Sequence, residues 1–455
     1  MRIMMDDSGT RSRSAPADAP PTDPRRWDRY RGILAASGAG QEELAEFDRV
    51  SRRRFLVTVG KGAALALGIF GAGPLAAERG LFGRGLLPSG WENIRDGGLP
   101  KPDMVIHSEH PFNGELPVHL LDDAVTPTAR HFVRNNGGIP ERARSKDMRG
   151  WALRVDGEVD HELSLTFEDL YCLPQVSMQI VLECAGNGRS LFEPQVGGTQ
   201  WIRGAVGCAE WTGVRLRDVL ETAGVKDGAV YAAFYGEDAP PDGEEPFSRG
   251  IPIAKAMDEH TLIALAINGV PLPAAHGFPA RLLVPGWVGS AMQKWLNRIR
   301  VLNRVHDSAK MSGYSYRVPA YPATPGVKPP EEEMRIATAW IVKSLITRPR
   351  ANLQVRAGDA VRSGGHAWAG ENRVERVLVS TDFGISWQDA ALTDPANRYA
   401  WYHWQAELAF RNRGYYEIWA RAFDDTGSAQ PFRQPWNPKG YLGNVIHRVP
   451  VLVSA

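Results

Sequence analysis

Cysteine is nearly missing from this chain, with three among 455 residues, at positions 172, 184 and 208. No Cys-x-x-Cys pair occurs, which excludes zinc-ribbon, iron–sulfur and covalently attached c-type haem sites. Three thiols cannot build a disulfide framework either; at most one bridge is possible, and at least one thiol is left to explain. An excess of charge of one sign is also missing. Lys and Arg number 53 against 52 Asp and Glu, a net charge of +1, which gives no footprint for nucleic acid or an anionic membrane. Any anion site must be local. A membrane-spanning run is absent too: the best candidate, Gly62–Ala77, has 16 residues, short of the ~20 that cross a bilayer.

What is present is a composition of 43% hydrophobic and 23% charged residues, with 33 Pro and 47 Gly, that of a globular protein rich in turns. The length exceeds one ordinary core and predicts two folded units plus a tail. Residues 1–50 have little periodicity and are predicted to be disordered, apart from a short helix at Gln41–Arg49. Ser51-Arg52-Arg53-Arg54-Phe55-Leu56 and the Gly/Ala-rich stretch to Ala77 resemble a twin-arginine signal. A basic cap before a buried helix and an uncleaved anchor are the alternatives. That route carries folded proteins, often with a cofactor already inserted, so a periplasmic or otherwise extracytoplasmic enzyme is expected.

Residues 78–320 are expected to form a mixed α and β catalytic domain. Within it, Ser177–Leu182 and Arg281–Val284 are predicted as strands and Leu216–Ala223 as a helix. The Pro-rich segment between Arg317 and Glu333 favours extended backbone and reads as a linker. Across 333–455, apolar and polar residues alternate at Ala339–Ile346, Leu353–Arg356, Val374–Ser380, Tyr402–Phe410, Tyr416–Phe423 and His447–Val453. About seven short strands separated by turns predict a β-sandwich of immunoglobulin type.

The chemistry concentrates in Leu182-Glu183-Cys184-Ala185-Gly186-Asn187-Gly188-Arg189-Ser190, directly after a strand-like run. A thiol at a strand end, followed by small residues, is open to a ligand that approaches the backbone closely. From the residues alone, Cys184 fits a redox thiol, a nucleophile, a metal ligand or an inert buried side chain.

The motif Cys-Ala-Gly-Asn-x-Arg resembles the molybdenum-ligating segment of the sulfite oxidase family, and other blocks agree in order and spacing. They are Phe132-Val133-Arg134-Asn135-Asn136, Glu210-Trp211-Thr212-Gly213-Val214, His276-Gly277-Phe278-Pro279-Ala280-Arg281 with Val284-Pro285-Gly286, Lys294-Trp295-Leu296, and Trp436-Asn437-Pro438-Lys439-Gly440-Tyr441. The likeness runs from about Asp103 to the C-terminus. It implies a molybdopterin-binding domain followed by an immunoglobulin-like dimerisation domain, with molybdenum bound through molybdopterin and Cys184 as the metal ligand. Arg134 and Arg189 would clamp a small sulfur anion, because a guanidinium cannot lose its charge. Phe132, Val133, Arg134, Asn135, Asn136, Asp238, His276, Arg281 and Lys294 would hold the cofactor. The active-site tyrosine should be Tyr314 or Tyr316.

Three departures matter. Asn136 stands where many relatives have His, Met292 where a cofactor-binding His is common, and Lys439 where an arginine reaches the anion pocket from the second domain. Lys lacks the bidentate fork, so anion geometry there is expected to be looser. The resemblance implies oxidation of sulfite to sulfate, with a sulfane dehydrogenase subunit or a sulfoxide reductase as alternatives. No cytochrome b5-like His-Pro-Gly-Gly segment precedes the motifs, so the electrons would go to a separate acceptor of c-type cytochrome kind. A homodimer is expected, with Trp401, Tyr402, Trp404, Tyr415, Tyr416 and Trp419 crowding two neighbouring strands and some of them facing a partner.

Overall fold

The computed structural model describes residues 101, 103–238 and 247–455. The expected disordered region, the signal and the start of the catalytic domain lie outside the described residues. No helix among the described residues is long and apolar enough to cross a membrane.

Two five-stranded sheets form the first unit. In one, Val206–Arg215 lies between Gln175–Glu183 and Leu262–Ile267, and Arg281–Leu283 joins the latter; all its pairings are antiparallel. In the other, Leu296–Leu302 is central, parallel to Leu153–Gly157 and antiparallel to Tyr231–Gly236. Helices are few and short. Leu216–Ala223 buries Leu216, Val219, Leu220 and Ala223, the spacing of one helix face, and stops at Gly224, whose φ of +70° suits glycine. Phe167–Cys172 starts with a capping box between Thr166 and Asp169.

The second unit is a sandwich of four strands against five. Leu353–Arg356 and Val374–Ser380 keep the boundaries that alternation predicts. One long strand, Ala360–Trp368, escapes that reading because Gly364-Gly365 breaks the pattern. Gly365 is required there: a Cβ would lie 1.9 Å from the carbonyl oxygen of Leu345 on the paired strand. The Pro-rich linker is tied at both ends, since Arg317–Pro319 pairs antiparallel with Met334–Ile336.

The aromatic strands require a correction. Tyr402–Ala409 and Gly414–Asp424 belong to opposite sheets, so they are not neighbours and their inner faces share one core. Tyr402 and Trp404 fill that core. Trp401 instead covers the first unit: it packs with Leu116, Leu121 and Val181, donates to the carbonyl of Ala124 at 2.8 Å, and stacks on His366 at 3.9 Å.

Candidate active site

The strand Gln175–Glu183 delivers Cys184 to a loop fixed from several sides. The Cys184 amide donates to Ala205 and its carbonyl accepts from Asn187. The Asn187 side chain donates to Glu183 at 2.9 Å and to the Arg203 carbonyl at 3.0 Å, and accepts from the Ala205 amide. Gly188, with φ +86°, lets the chain double back. Gly186 leaves room for Arg189, since a Cβ there would stand 2.2 Å from Nη2 and the guanidinium would have to move.

The thiol opens into a cavity whose empty space, mouth included, is about 670 Å³. Phe132, Val133, Arg134, Asn136, Asp238, His276, Arg281, Lys294 and Tyr316 line it with Cys184, so ten of the sequence-predicted residues meet at one place. Asn135 stands just behind, its side-chain oxygen accepting from Lys294. At the thiol end, the Arg134 guanidinium reaches Asn136 at 2.6 Å and Asn113 at 3.3 Å. Burial pushes the Cys184 thiol up, against the pull of Arg134 and Arg189. A metal would therefore have to displace a proton from it.

The other end is a crowd of buried cations. Lys101 lies 2.8 Å from Nε2 of His276, Arg281 donates to the His276 carbonyl, and Lys294 donates to that of Ala275. Burial lowers all four, Arg281 to about 9, and mutual repulsion adds to the drop at His276 and Lys294. Asp238, whose carboxyl is raised by burial, is the one acid on the lining among the described residues. Nε of Arg281, Oδ1 of Asp238 and Oε1 of Gln293 are buried with no hydrogen-bond partner among the described residues. Such a set is costly unless an anion with donor and acceptor edges completes it.

Besides Asn135, three predicted residues do not line the cavity. Tyr314 turns away, its hydroxyl donating to the Pro329 carbonyl at 2.7 Å, which leaves Tyr316 as the tyrosine at the wall. Arg189 is buried beside the loop and donates to the carbonyls of Thr199 at 2.7 Å and Lys439 at 2.9 Å. Lys439 thus meets the site through its main chain, while its side chain is exposed.

Two family models match, the oxidoreductase molybdopterin binding domain over residues 136–310 and the Mo-co oxidoreductase dimerisation domain over 335–454. Mouse mitochondrial sulfite oxidase is 35% identical over 378 residues, covering 79% of this chain and 67% of that one. The chain belongs to the sulfite oxidase family of molybdopterin-dependent oxidoreductases. Human mitochondrial sulfite oxidase is 36% identical over 78% of this chain and 66% of its own, so the chain spans about two thirds of these relatives. The NADH nitrate reductase of Volvox carteri is 32% identical over 75% of this chain and 42% of its own. Among solved structures, the sulfane dehydrogenase SoxCD of Paracoccus pantotrophus superposes with a TM-score of 0.64 at 28% identity, over 84% of this chain and 95% of that one.

Mo-molybdopterin is therefore the cofactor of this enzyme, and the cavity fits it. The cation cluster suits a phosphate, the unpartnered Asp238 and Gln293 oxygens suit the N–H edge of a pterin, and a single thiolate suits a metal that brings sulfur ligands of its own. Lys101 and Gln293 escaped the sequence reading. Lys101 is 175 residues from His276 and carries no local motif, whereas Gln293 adjoins Lys294 in a block already singled out.

Proposed function

We propose that this enzyme oxidises sulfite, or a closely similar sulfur anion, to sulfate. The overall change is SO₃²⁻ + H₂O → SO₄²⁻ + 2 H⁺ + 2 e⁻, with the electrons leaving to a separate c-type cytochrome. The observation that carries this reading is the placing of the Cys184 thiol in a cavity beside two guanidiniums, Arg134 on the wall and Arg189 behind the loop. The similarity to sulfite oxidases supports it.

Bound molybdopterin supplies a molybdenum centre able to take up two electrons as oxygen is added to sulfur and to release them singly. The chain's own part is binding, orientation and charge. Cys184 ligates the metal as thiolate. Arg134 neutralises and orients the sulfur anion, Arg189 adds fixed positive charge, and Tyr316 bounds the anion's space from the wall. His276, Arg281 and Lys294 hold the phosphate, Asp238 the pterin edge, and Phe132, Val133, Asn135 and Asn136 shape the trough between. Export by the twin-arginine route and a homodimer through the C-terminal unit complete the reading.

The likeness to SoxCD supports a second reading, in which the sulfur atom belongs to a larger sulfane-bearing partner. Purified, molybdenum-loaded protein should reduce cytochrome c or ferricyanide with sulfite as donor. Turnover with thiosulfate-derived sulfane alone would favour the second reading. Turnover only with methionine sulfoxide or nitrate and a reduced viologen would reverse the direction of both.

A further inference from the structure

Resting on the anion site just described, we propose that Tyr441 is a positioning residue through which the C-terminal unit sets the geometry of the anion pocket. The segment around it forms a strap along the Cys184 loop. The Leu442 amide donates to Ala185 at 2.9 Å, next to the thiol, and the Lys439 carbonyl accepts from Arg189 at 2.9 Å. Gly440, with φ +62°, permits the approach, because a Cβ would lie 2.8 Å from Cγ of Arg189. Asn437 closes the turn, its side chain accepting from the Tyr441 amide at 3.0 Å and donating to the Tyr441 carbonyl at 2.8 Å.

From this strap the Tyr441 ring reaches Tyr316, on the cavity wall, and Arg189, behind the Cys184 loop. It stacks on Tyr316 with centroids 5.2 Å apart and planes 15° from parallel, and Arg189 lies over it at 5.6 Å. Arg249, buried and without an acidic partner among the described residues, lies over Tyr316 at 4.9 Å, and Phe247 meets the Tyr316 ring edge-on. A ladder of Arg249, Tyr316, Tyr441 and Arg189 results, of which only Tyr441 comes from the second unit. Tyr316 depends on it, since its φ of +50° is a backbone state that a bulky residue keeps only when its surroundings hold it. Loss of the Tyr441 ring would remove one packing contact from Tyr316 and from Arg189 together. Small displacements of groups that orient a reactant have large kinetic effects.

The test uses full-length, molybdenum-loaded protein and two readouts, sulfate affinity by calorimetry and the sulfite KM and kcat. Tyr441→Leu should raise both the sulfate Kd and the sulfite KM by about tenfold, with kcat changed by less than about threefold. Tyr441→Phe, which keeps the stack, should stay within about twofold of wild type on both. A Tyr441→Leu protein with wild-type Kd and KM overturns the proposal, and so does a Tyr441→Phe protein as impaired as the Leu variant. If Tyr441→Leu does not fold, Tyr441→Met carries the same comparison. A wild type that binds sulfate yet does not oxidise sulfite removes the substrate reading and leaves this one standing, because calorimetry needs no turnover.

Discussion

Nζ of Lys343, in the C-terminal unit, lies 2.6 Å from Oε1 of Glu183, the residue immediately before the Cys184 thiol, and both side chains are withdrawn from solvent. Asn187 also donates to that carboxylate, and the Trp368 indole donates to its other oxygen at 2.8 Å. Burial pushes the Glu183 carboxyl up and the Lys343 ammonium down, and each restrains the other. A pair so placed ties the two units together at the base of the site.

Lys343→Met leaves the Glu183 carboxylate buried with no cation, a change that typically costs about 3–5 kcal/mol. Denaturant unfolding should show a loss of that order. The double variant Lys343→Met, Glu183→Leu should recover part of it, because no charge remains buried. Equal losses in the single and double variants would mean that the ion pair is not what the single substitution breaks.

Cys184→Ser should give folded protein that retains the pterin, read by fluorescence after release and oxidation, but almost no turnover, since a hard hydroxyl replaces thiolate poorly at this metal. Cys172→Ser and Cys208→Ser should keep turnover near wild type. Cys208 is wholly buried among apolar side chains, so its variant should lose about 1–3 kcal/mol of stability. Normal turnover in Cys184→Ser would assign the metal elsewhere.

How much of this was legible in the sequence differs between strands and side-chain partners. The helix Leu216–Ala223 and the strand Val374–Ser380 follow from period alone, because each presents one apolar face to one core. The strand Ala360–Trp368 was hidden because its two adjacent glycines serve close backbone approach, which no periodic pattern records. Ten residues singled out from motif blocks and their neighbours line the cavity, yet the partners that hold the region from behind, Lys101 at His276 and Lys343 at Glu183, lie 175 and 160 residues away in sequence. Pairing over such distances is a property of the fold. Tyr314 and Tyr316 are indistinguishable in the sequence for a related reason: what separates them is tertiary, the Tyr314 hydroxyl bonding Pro329 while Tyr316, in a left-handed turn, lines the cavity.

Arg134→Gln should raise the sulfite KM and lower kcat/KM by an amount on the order of 2–5 kcal/mol, as when one member of a desolvated charge pair is lost. Chloride and sulfate should compete with sulfite in the wild type and less so in the variant. Unchanged kinetics would place the anion away from this guanidinium.

His131 and His276 are wholly buried near Lys101 and Arg281, which holds His131 down to about 3 and His276 well below the usual range. Both stay neutral in the fold at pH values where the unfolded chain, titrating near 6.5, is already charged. The unfolded state then binds the extra protons, so stability falls as pH drops below about 6.5, by up to about 1.4 kcal/mol per pH unit for each histidine. Cofactor-free protein should show this as a declining Tm. Loaded protein should decline less, because a bound phosphate favours the cationic forms. Parallel profiles for the two would separate the cation cluster from the cofactor.

Phe383, Tyr415, Trp387, Trp419 and Phe432 form a chain of ring contacts on the second unit, with Ile385 86% exposed at its edge. A patch of this kind on a dimerisation domain is where a second copy should sit. Ile385→Glu with Tyr415→Glu should shift sedimentation from dimer to monomer at micromolar concentration while leaving turnover per site unchanged. A wild type that already sediments as a monomer would end the dimer reading.

The strap Asn437–Leu442 also bears on how the enzyme is made. A ribosome releases the chain from its N-terminus, and early segments begin to fold before late ones exist. The cation cluster uses residues no later than Lys294, whereas the segment that packs along the Cys184 loop, Asn437–Leu442, comes much later in the chain. During translation the Cys184 loop therefore lacks, for a time, the contacts to Ala185 and Arg189 that the finished molecule has. A pterin that entered in that interval would meet a looser Cys184 loop, and a chaperone that delays docking of the nascent C-terminal unit would lengthen it.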